Sequence, residues 1–476
     1  MEAGIEEQRG LYQKRIPIFP RSIKGKFRTF KTSMLALAYA VFFGLPWLPW
    51  SREGAPSQAV LFDLPHREFF LFNLTIYPQD LITLSLLLFI AAVLLFFVTG
   101  LVGRAFCGYF CFQTLWTDFF IFIEKWVQGE RPARIRLYKQ PWNGEKIVKM
   151  ALTHGLWLLV AFWTGFTFIA YYAYAPHLLL AFVTGHAAGV AYATVAILTA
   201  TTYVAAGLAR EQVCMYMCPY ARFQGVMYEP ETLVVSYDIH RGEGANGRAV
   251  PHAGLKTREE RTALGHGDCV DCGLCVQVCP VGIDIRKGLQ YSCISCGLCI
   301  DACNTIMDSV GFPRGLVRYD SEIDIESDQP DKPHLSWRRV RTIGYGAAIA
   351  IMTSLLIYKL ATRASFVVSV EEIRAPLFDV MPNGDIRDRY QIRVTNKTAT
   401  AKTYTFSVEN LPPGSLHLGA IPELTVPSGQ SLMVQVGVEL PHELAEETHE
   451  IHFVVTQKGP HGGSIEQHAH YFGERD

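Results

Sequence analysis

Apolar positions along this chain follow two different patterns. In the first, five stretches hold no Asp, Glu, Lys or Arg: residues 32–50, 81–103, 150–175, 188–209 and 342–358. About 20 predominantly apolar residues cross a bilayer core, so each stretch predicts a transmembrane helix. The first closes on Pro46-Trp47-Leu48-Pro49-Trp50, and tryptophan favours the membrane interface. After the fifth stretch the period drops to two. Tyr390, Ile392 and Val394 alternate with polar neighbours, as do Tyr404, Phe406 and Val408; Leu432, Val434, Val436 and Val438; and Ile451, Phe453 and Val455. Breaks at Asn396, Pro412-Pro413-Gly414 and Gly459-Pro460 divide this region into short antiparallel strands. Residues 364–476 therefore predict an immunoglobulin-like β-sandwich, of disulfide-free type because the segment has no cysteine.

The rest of the chain lacks either period. Residues 229–267, rich in Gly, Arg, Glu and His from 240 onwards, read as a solvated linker. Residues 311–341 read as a strap back to the membrane, with the acidic run Glu322 to Asp331 a solvated tether. No apolar core precedes residue 32, so residues 1–31 are a basic N-terminus and not a signal peptide. Composition agrees with a mixture of spans and soluble domains: half of the 476 residues are hydrophobic and 18% are charged. The net charge of −1 gives no argument for nucleic acid.

Positive charge sets the orientation. Lys14, Arg15, Arg21, Lys24, Lys26, Arg28 and Lys31 precede the first stretch. Arg104, Lys125, Arg131, Arg134, Arg136, Lys139, Lys146 and Lys149 follow the second, and Arg338, Arg339 and Arg341 precede the fifth. The loop between stretches one and two has only Arg52 and Arg67, and that between three and four has neither Lys nor Arg. This places the N-terminus and residues 210–341 in the cytoplasm and the β-sandwich outside.

Within that cytoplasmic segment lie eight cysteines: Cys269-x-x-Cys272-x-x-Cys275-x-x-x-Cys279-Pro280 and Cys293-x-x-Cys296-x-x-Cys299-x-x-x-Cys303. This is the bacterial ferredoxin run written twice, and in such pairs the fourth cysteine of each run serves the other cluster. One 4Fe-4S cluster is thus expected on Cys269, Cys272, Cys275 and Cys303, and a second on Cys293, Cys296, Cys299 and Cys279. Structural zinc also takes C-x-x-C pairs, but it does not call for a crossed three-plus-one spacing used twice. The second run ends Cys303-Asn304, without the usual proline. The expected fold is an α-helical membrane bundle of five transmembrane helices with an inserted two-cluster ferredoxin domain (268–310) and the C-terminal sandwich. Four of the helices belong to residues 32–228 and the fifth to 342–361.

The remaining cysteines form two pairs, Cys107-Gly108-Tyr109-Phe110-Cys111 and Cys214-Met215-Tyr216-Met217-Cys218-Pro219. Each is C-x-Tyr-x-C at the end of a span, with Arg104 or Arg210 before it and Gln113 or Gln224 after it. Two spans and then the motif, twice over, reads as an internal duplication. On a helix, positions i and i+4 share a face, so each pair is suited to hold a metal or act as a redox dithiol, and packed hairpins would bring four sulfurs together. A single pair would favour simple packing; two pairs beside a ferredoxin domain favour function. Thiolates, with the Met215 and Met217 thioethers nearby, select soft ions, Cu(I) above all. All twelve cysteines fall in these motifs, which leaves none for a disulfide framework and suits a reducing compartment. His154, His177 and His186 lie in or near spans three and four. A haem would want paired histidines on facing helices, so hydrogen-bonded interfacial roles are expected. His461, His468 and His470 read as exposed turn and strand residues in preference to an external metal site.

The basic N-terminus, the paired C-x-x-x-C motifs, the double ferredoxin run and the last span feeding a β-sandwich together resemble the FixG/CcoG/RdxA family, accessory proteins of cbb3-type cytochrome c oxidase. The first pair departs from the family's C-x-x-x-C-P form, with Phe112 where proline would stand. The resemblance implies a multi-pass protein of the bacterial inner membrane that assists maturation of the oxidase, with reduction of Cu(II) to Cu(I) as its chemistry. The residues permit it, with electrons expected to pass from the clusters to copper at Cys107, Cys111, Cys214 and Cys218. Oxidase subunits or copper chaperones and transporters, a cytoplasmic electron donor and membrane lipid are the implied partners. The alternatives are a polyferredoxin conduit to a periplasmic oxidoreductase and a non-catalytic assembly scaffold.

Overall fold

The computed structural model describes residues 17–51, 56–65, 68–77, 80–252, 254–326, 337–362, 364–373, 377–398, 400–419, 422–459 and 462–472. Lys14, Arg15, Arg52, Arg67, His461 and the acidic run beyond residue 326 lie outside the described residues. The chain folds as two compact units. One is built from residues up to Trp47 together with Leu81–Leu356, and the other from Leu48–Asp80 and Ile357–Asp476.

Helix α1 (Lys26–Gly44) is followed by three short strands, β1 (Val60–Asp63), β2 (Glu68–Leu71) and β3 (Leu74–Ile76), which belong to the second unit. Then come α2 (Leu81–Val102), α3 (Ala105–Tyr109), α4 (Phe112–Gln128), α5 (Arg131–Lys139), α6 (Gly144–Ala170), α7 (Ala175–Val183) and α8 (Gly189–Thr202). Among the described residues, six helices are long and apolar enough to cross a membrane, not the expected five. The additional one is Ala105–Gln128, which comprises α3 and α4. Its Asp118, Glu124 and Lys125 interrupt the charge-free pattern, but the two acids are matched inside the fold. Asp118 pairs with Arg28 at 2.9 Å and Lys31 at 3.5 Å, and Glu124 pairs with Arg134 at 3.2 Å and with Arg210. Burial of a charge is tolerated only when it is paired in this way. Trp116, Phe120 and Trp157 form the core between α4 and α6, with the Trp116 Nε1–H donating to Thr164 Oγ1 at 2.9 Å.

Residues 229–267 and 311–341 are not a bare linker and strap. β4 (Val234–Tyr237) pairs antiparallel with β5 (Val317–Asp320), so one strand of each segment is built into the ferredoxin fold. α10 (Ile239–Glu243) and α11 (Arg258–Ala263) lie between β4 and the first cysteine, after α9 (Pro219–Met227). Arg261, only 1% exposed, donates to the carbonyls of Ala249, Gly267 and Cys269. A region of charged and small residues is ordered here by hydrogen bonds and not by apolar periodicity, which is why its sequence reads as solvated. α12 (Leu274–Gln277) and α13 (Leu298–Val310) carry the third cysteine of each run, and α14 (Glu322–Glu326) precedes α15 (Val340–Ala361). The Asp301 carboxylate on α13 accepts from the Phe27 and Arg28 backbone N–H groups (3.3 and 2.8 Å), capping the first turn of α1.

In the second unit, β6 (Phe366–Glu372), β7 (Asp379–Val380), β8 (Ile386–Asn396), β9 (Lys402–Glu409), β10 (Leu416–His417), β11 (Glu423–Val426), β12 (Ser431–Leu440), β13 (Glu450–Gln457) and β14 (Ser464–His470) form an antiparallel sandwich. One sheet has the order β10-β12-β8-β6 with β7 also on β8, and the other β11-β9-β13-β14. The alternating residues named above fill the core, Ile392, Val394, Tyr404, Val438, Ile451, Phe453 and Val455 being wholly enclosed. The β1–β3 segment folds with this domain: Lys397 pairs with Asp80 at 2.8 Å, and Gly429 lies against Glu68 and Tyr77.

Candidate functional site

The eight ferredoxin cysteines line two cavities of about 370 Å³ each. Cys269, Cys272, Cys275 and Cys303 face the first, with Leu274, Ile306, Met307 and Val317. Cys279, Cys293, Cys296 and Cys299 face the second, with Val235, Ile283 and Leu298; Cys275 also borders it. The same backbone turn is used twice. Asp271 and Ser295, each just before the second cysteine of its run, have φ of 48° and 50°, and Gly273 and Gly297 just after it have φ of 63° and 69°. Two left-handed residues flanking the second cysteine fold the chain back on itself there, and glycine takes the second of these positions at no steric cost. Where the first run has Pro280, Asn304 accepts a hydrogen bond from the Gly315 N–H at 3.0 Å. Burial pushes the Cys275 and Cys279 thiols up to about 11 and those of Cys293 and Cys303 up to about 12, and the neighbouring cysteine sulfurs add to the rise. Such thiols are inert as nucleophiles and ionise only for a metal. Four convergent sulfurs in each apolar cavity suit an iron–sulfur cluster better than an exchangeable ion.

The two C-x-x-x-C motifs are copies in structure as well as in sequence. Instead of sharing one helical face at i and i+4, each pair spans a widened turn. The Cys111 N–H donates to Phe106 O at 3.0 Å and the Cys218 N–H to Val213 O at 2.8 Å, both i→i−5 bonds. Each second cysteine is extended and caps the next helix, Cys111 before α4 and Cys218 before α9. A single wide turn within helical structure is often a functional feature. The copies are wired to one another. Gln113, after the first pair, donates to Ala205 O (2.7 Å) and Arg210 O (3.2 Å) before the second. Gln224, after the second pair, accepts from Cys107 Sγ at 3.1 Å. Arg104 donates to Ala221 O on α9, while Arg210 pairs with Glu124 on α4. The result brings Cys107 within electrostatic reach of Cys111, Cys214 and Cys218, and Cys214 within reach of Cys111 and Cys218. Among the described residues, however, no three of these sulfurs are gathered closely enough to share one ion, so the expected convergence of four is not complete. Burial pushes the Cys214 thiol up to about 11, reinforced by Cys111 and Cys218. A cavity of about 340 Å³ opens beside Cys214, with Gln113, Asp118 and Glu211 on one wall and Val281 and Ile294 on another. Asp118 Oδ2, buried there, has no hydrogen-bond partner among the described residues.

This four-cysteine centre abuts the second ferredoxin cavity. Cys107 and Met215 pack on the same apolar cluster as Cys279, Ile294 and Cys296. The Tyr109 hydroxyl donates to Cys296 O at 2.9 Å. Gly108 makes the approach feasible, since a Cβ there would fall 2.8 Å from Ile294 O and 3.1 Å from Cys296 Cα. The duplicated tyrosine has no such role: Tyr109 is 5% exposed and Tyr216 is 63% exposed. Met215 is therefore a packing residue, and Met217 points outward. His154 Nδ1 lies 2.9 Å from Tyr203 Oη and His186 Nδ1 lies 3.1 Å from Thr184 Oγ1, while His177 is exposed. The sequence did not single out Glu124, Asp118 or Gly108, and marked Tyr109 only as the tyrosine shared by the two motifs; their roles depend on distant partners.

Comparison with known proteins places 4Fe-4S family models over both the ferredoxin run and the C-x-x-x-C pairs. Residues 209–322 match a family described as a 4Fe-4S dicluster domain, residues 84–129 a 4Fe-4S binding domain, and residues 356–474 an IG-like fold at the C-terminal of FixG, putative oxidoreductase. The chain is 41% identical to Protein RdxB of Cereibacter sphaeroides, covering 90% of this chain and 89% of that protein. It is 42% identical to Protein RdxA of the same organism, covering 84% and 83%. It is 38% identical to the nitrogen fixation protein FixG of Rhizobium meliloti, covering 90% and 85%.

Proposed function

The chain belongs to the family of FixG, RdxA and RdxB, and from that premise we propose that it is a membrane-bound iron–sulfur electron-transfer protein that reduces Cu(II) to Cu(I) for assembly of a cbb3-type oxidase. The observation that carries this reading is the contact between the four-cysteine centre and the second ferredoxin cavity at Gly108, Tyr109 and Cys296. The ligands are Cys269, Cys272, Cys275 and Cys303 for one 4Fe-4S cluster and Cys279, Cys293, Cys296 and Cys299 for the other. When bound, such clusters supply single electrons, one per Cu(II) reduced. Cys107, Cys111, Cys214 and Cys218 receive the copper substrate. Thiolates favour the soft Cu(I) product over Cu(II) and so draw the reduction forward. Arg104 and Arg210 hold the two copies in register, and Gln224 orients Cys107. A cytoplasmic protein donates the electrons, and copper chaperones, transporters or oxidase subunits accept the product.

The topology follows the same reading: an inner-membrane protein with the ferredoxin fold cytoplasmic and the sandwich periplasmic. Because the β1–β3 segment folds with the sandwich, both stand on one side of the bilayer. An even number of crossings then separates residue 80 from residue 362. Five of the six candidate helices lie in that interval, all but the first. We assign α4, with Asp118 and Glu124 held in ion pairs, as packed against the bundle without crossing.

The test is anaerobic. Protein with reduced clusters is mixed with Cu(II), and Cu(I) is read with a chelator alongside the cluster absorbance. The wild type is expected to yield Cu(I) as the absorbance returns to the oxidised form. Cys214→Ala/Cys218→Ala should abolish Cu(I) formation and keep full cluster absorbance. Undiminished Cu(I) in that variant removes the cysteine pairs from the reaction, and clusters that stay reduced in the wild type shift the function to a conduit or a scaffold.

A further inference from the structure

We propose that the outward face of β13 and β14 binds a divalent transition-metal ion through His452, His468 and Glu450. In β13 the inward residues Ile451, Phe453 and Val455 fill the core, so Glu450 and His452 stand on the opposite face. In β14 only Ala469 of the last three residues is buried, which leaves His468 and His470 outward. The antiparallel register sets His452 directly opposite His468 and Glu450 opposite His470. Directly opposed residues have Cβ atoms about 4.5–5.5 Å apart, close enough for two side chains to share an ion. Here the two imidazole rings meet edge to face with centroids 4.2 Å apart. One ring nitrogen from each histidine and a Glu450 carboxylate oxygen all lie within 4.8 Å of one another.

An independent observation points to a ligand. His452 Nδ1 lies 2.6 Å from Glu466 Oε1, one pair further along the same face. A carboxylate on one imidazole nitrogen fixes the tautomer and turns the other nitrogen towards a metal, the arrangement found behind metal-bound histidines generally. Two imidazoles and a carboxylate are a borderline donor set that suits zinc, nickel and copper, and among divalent ions of this series Cu(II) binds such donors most tightly. The histidine and glutamate ligands are half-buried to exposed, so the ion retains open positions and exchanges with solvent. The site contains no thiol and is separate from the cysteine chemistry.

Copper itself is the probe. The full-length protein with oxidised, EPR-silent clusters, in a background with Cys107, Cys111, Cys214 and Cys218 all changed to Ala so that these thiols do not consume the metal, is titrated with Cu(II) to one equivalent. The expected EPR signal is a single bound Cu(II) coupled to two nitrogens. His468→Ala should reduce the coupling to one nitrogen and weaken binding, and His452→Ala/His468→Ala should remove the site. Glu466→Gln should keep both nitrogens and weaken the affinity by about tenfold to a hundredfold, the usual cost of losing an orienting partner. These side chains lie on the surface, so the variants fold. Equal Cu(II) stoichiometry and an identical signal in the double-histidine variant would overturn the assignment, as would a wild type that binds no Cu(II) with nitrogen coupling.

Discussion

The eight ferredoxin cysteines and the four at the helix ends reach their centres by different routes. The first set is gathered by a single stretch of chain, Cys269 to Cys303, through two copies of one left-handed turn. The second is drawn from two motifs far apart in sequence, and none of its pairs closes a site alone. What holds it is a set of cross-connections: Gln113 to Ala205 and Arg210, Gln224 to Cys107, Arg104 to Ala221, and Arg210 to Glu124. A centre built from local spacing tolerates change elsewhere in the fold. A centre built from long-range polar contacts depends on each of them, because a buried polar group that loses its partner keeps the desolvation cost without the compensation.

The largest effect on this contrast is expected at Glu124. Its carboxylate, 7% exposed, serves both Arg134 and Arg210. Glu124→Gln leaves the buried Arg134 and the largely enclosed Arg210 with a neutral neighbour, and breaking a buried pair on one side costs about 3–5 kcal/mol. Thermal unfolding of the helical unit should shift down accordingly, and the Cu(II) reduction proposed for the protein should fall sharply. The iron and sulfide content per chain should stay at the wild-type value, since the ion-pair partners of Glu124 among the described residues, Arg134 and Arg210, lie outside the cysteine runs. Parallel loss of iron would show that the two cysteine sets are not independently held.

Gly108 tests the seam between the sets. Gly108→Ala introduces a Cβ 2.8 Å from a backbone carbonyl, which cannot move aside as a side-chain tip can. Overpacking of this kind costs about 1–3 kcal/mol. The two centres are forced apart while each retains all of its cysteines. Cluster absorbance should be unchanged and the first turnover of Cu(II) reduction slowed several-fold, read by stopped-flow with a Cu(I) chelator. An unaltered rate would mean that electrons do not cross at this contact.

The contrast also explains which parts of the protein were legible in the sequence. The ferredoxin runs and the sandwich were, because cysteine spacing and period-two alternation are local and each sets its own structure. The helices over the charge-free stretches were legible for the same reason. α4 was not, because Asp118 and Glu124 look like solvated charges until Arg28, Lys31, Arg134 and Arg210 are brought to them from other helices. The 229–267 segment hid its β4 strand because the partner, β5, lies beyond the whole cysteine block. The i→i−5 turns were missed because a C-x-x-x-C spacing alone reads as an ordinary helical face. His468 looked solitary until the β13–β14 register put His452 beside it.

The smallest expected effect falls on the tyrosine that the duplication kept in both motifs but used in one. Tyr109 Oη donates to Cys296 O at 2.9 Å, while Tyr216 is exposed. Tyr109→Phe removes the hydrogen bond to Cys296 O and the one shared with the Tyr319 hydroxyl, and leaves the ring in place against Phe30, whose centroid is 4.9 Å away. The net cost of such a bond is about 0.5–1.5 kcal/mol, and the carbonyl it leaves belongs to a residue at the edge of the second ferredoxin cavity. Docking should weaken slightly, with a fall in the Cu(II) reduction rate smaller than that of Gly108→Ala and no change in iron content. Tyr216→Phe, as the matched change in the other copy, should leave the rate untouched. Equal effects from the two substitutions would mean that the tyrosines act through something the copies share, such as the wide turn itself, and that contact with Cys296 is not what distinguishes the first motif from the second.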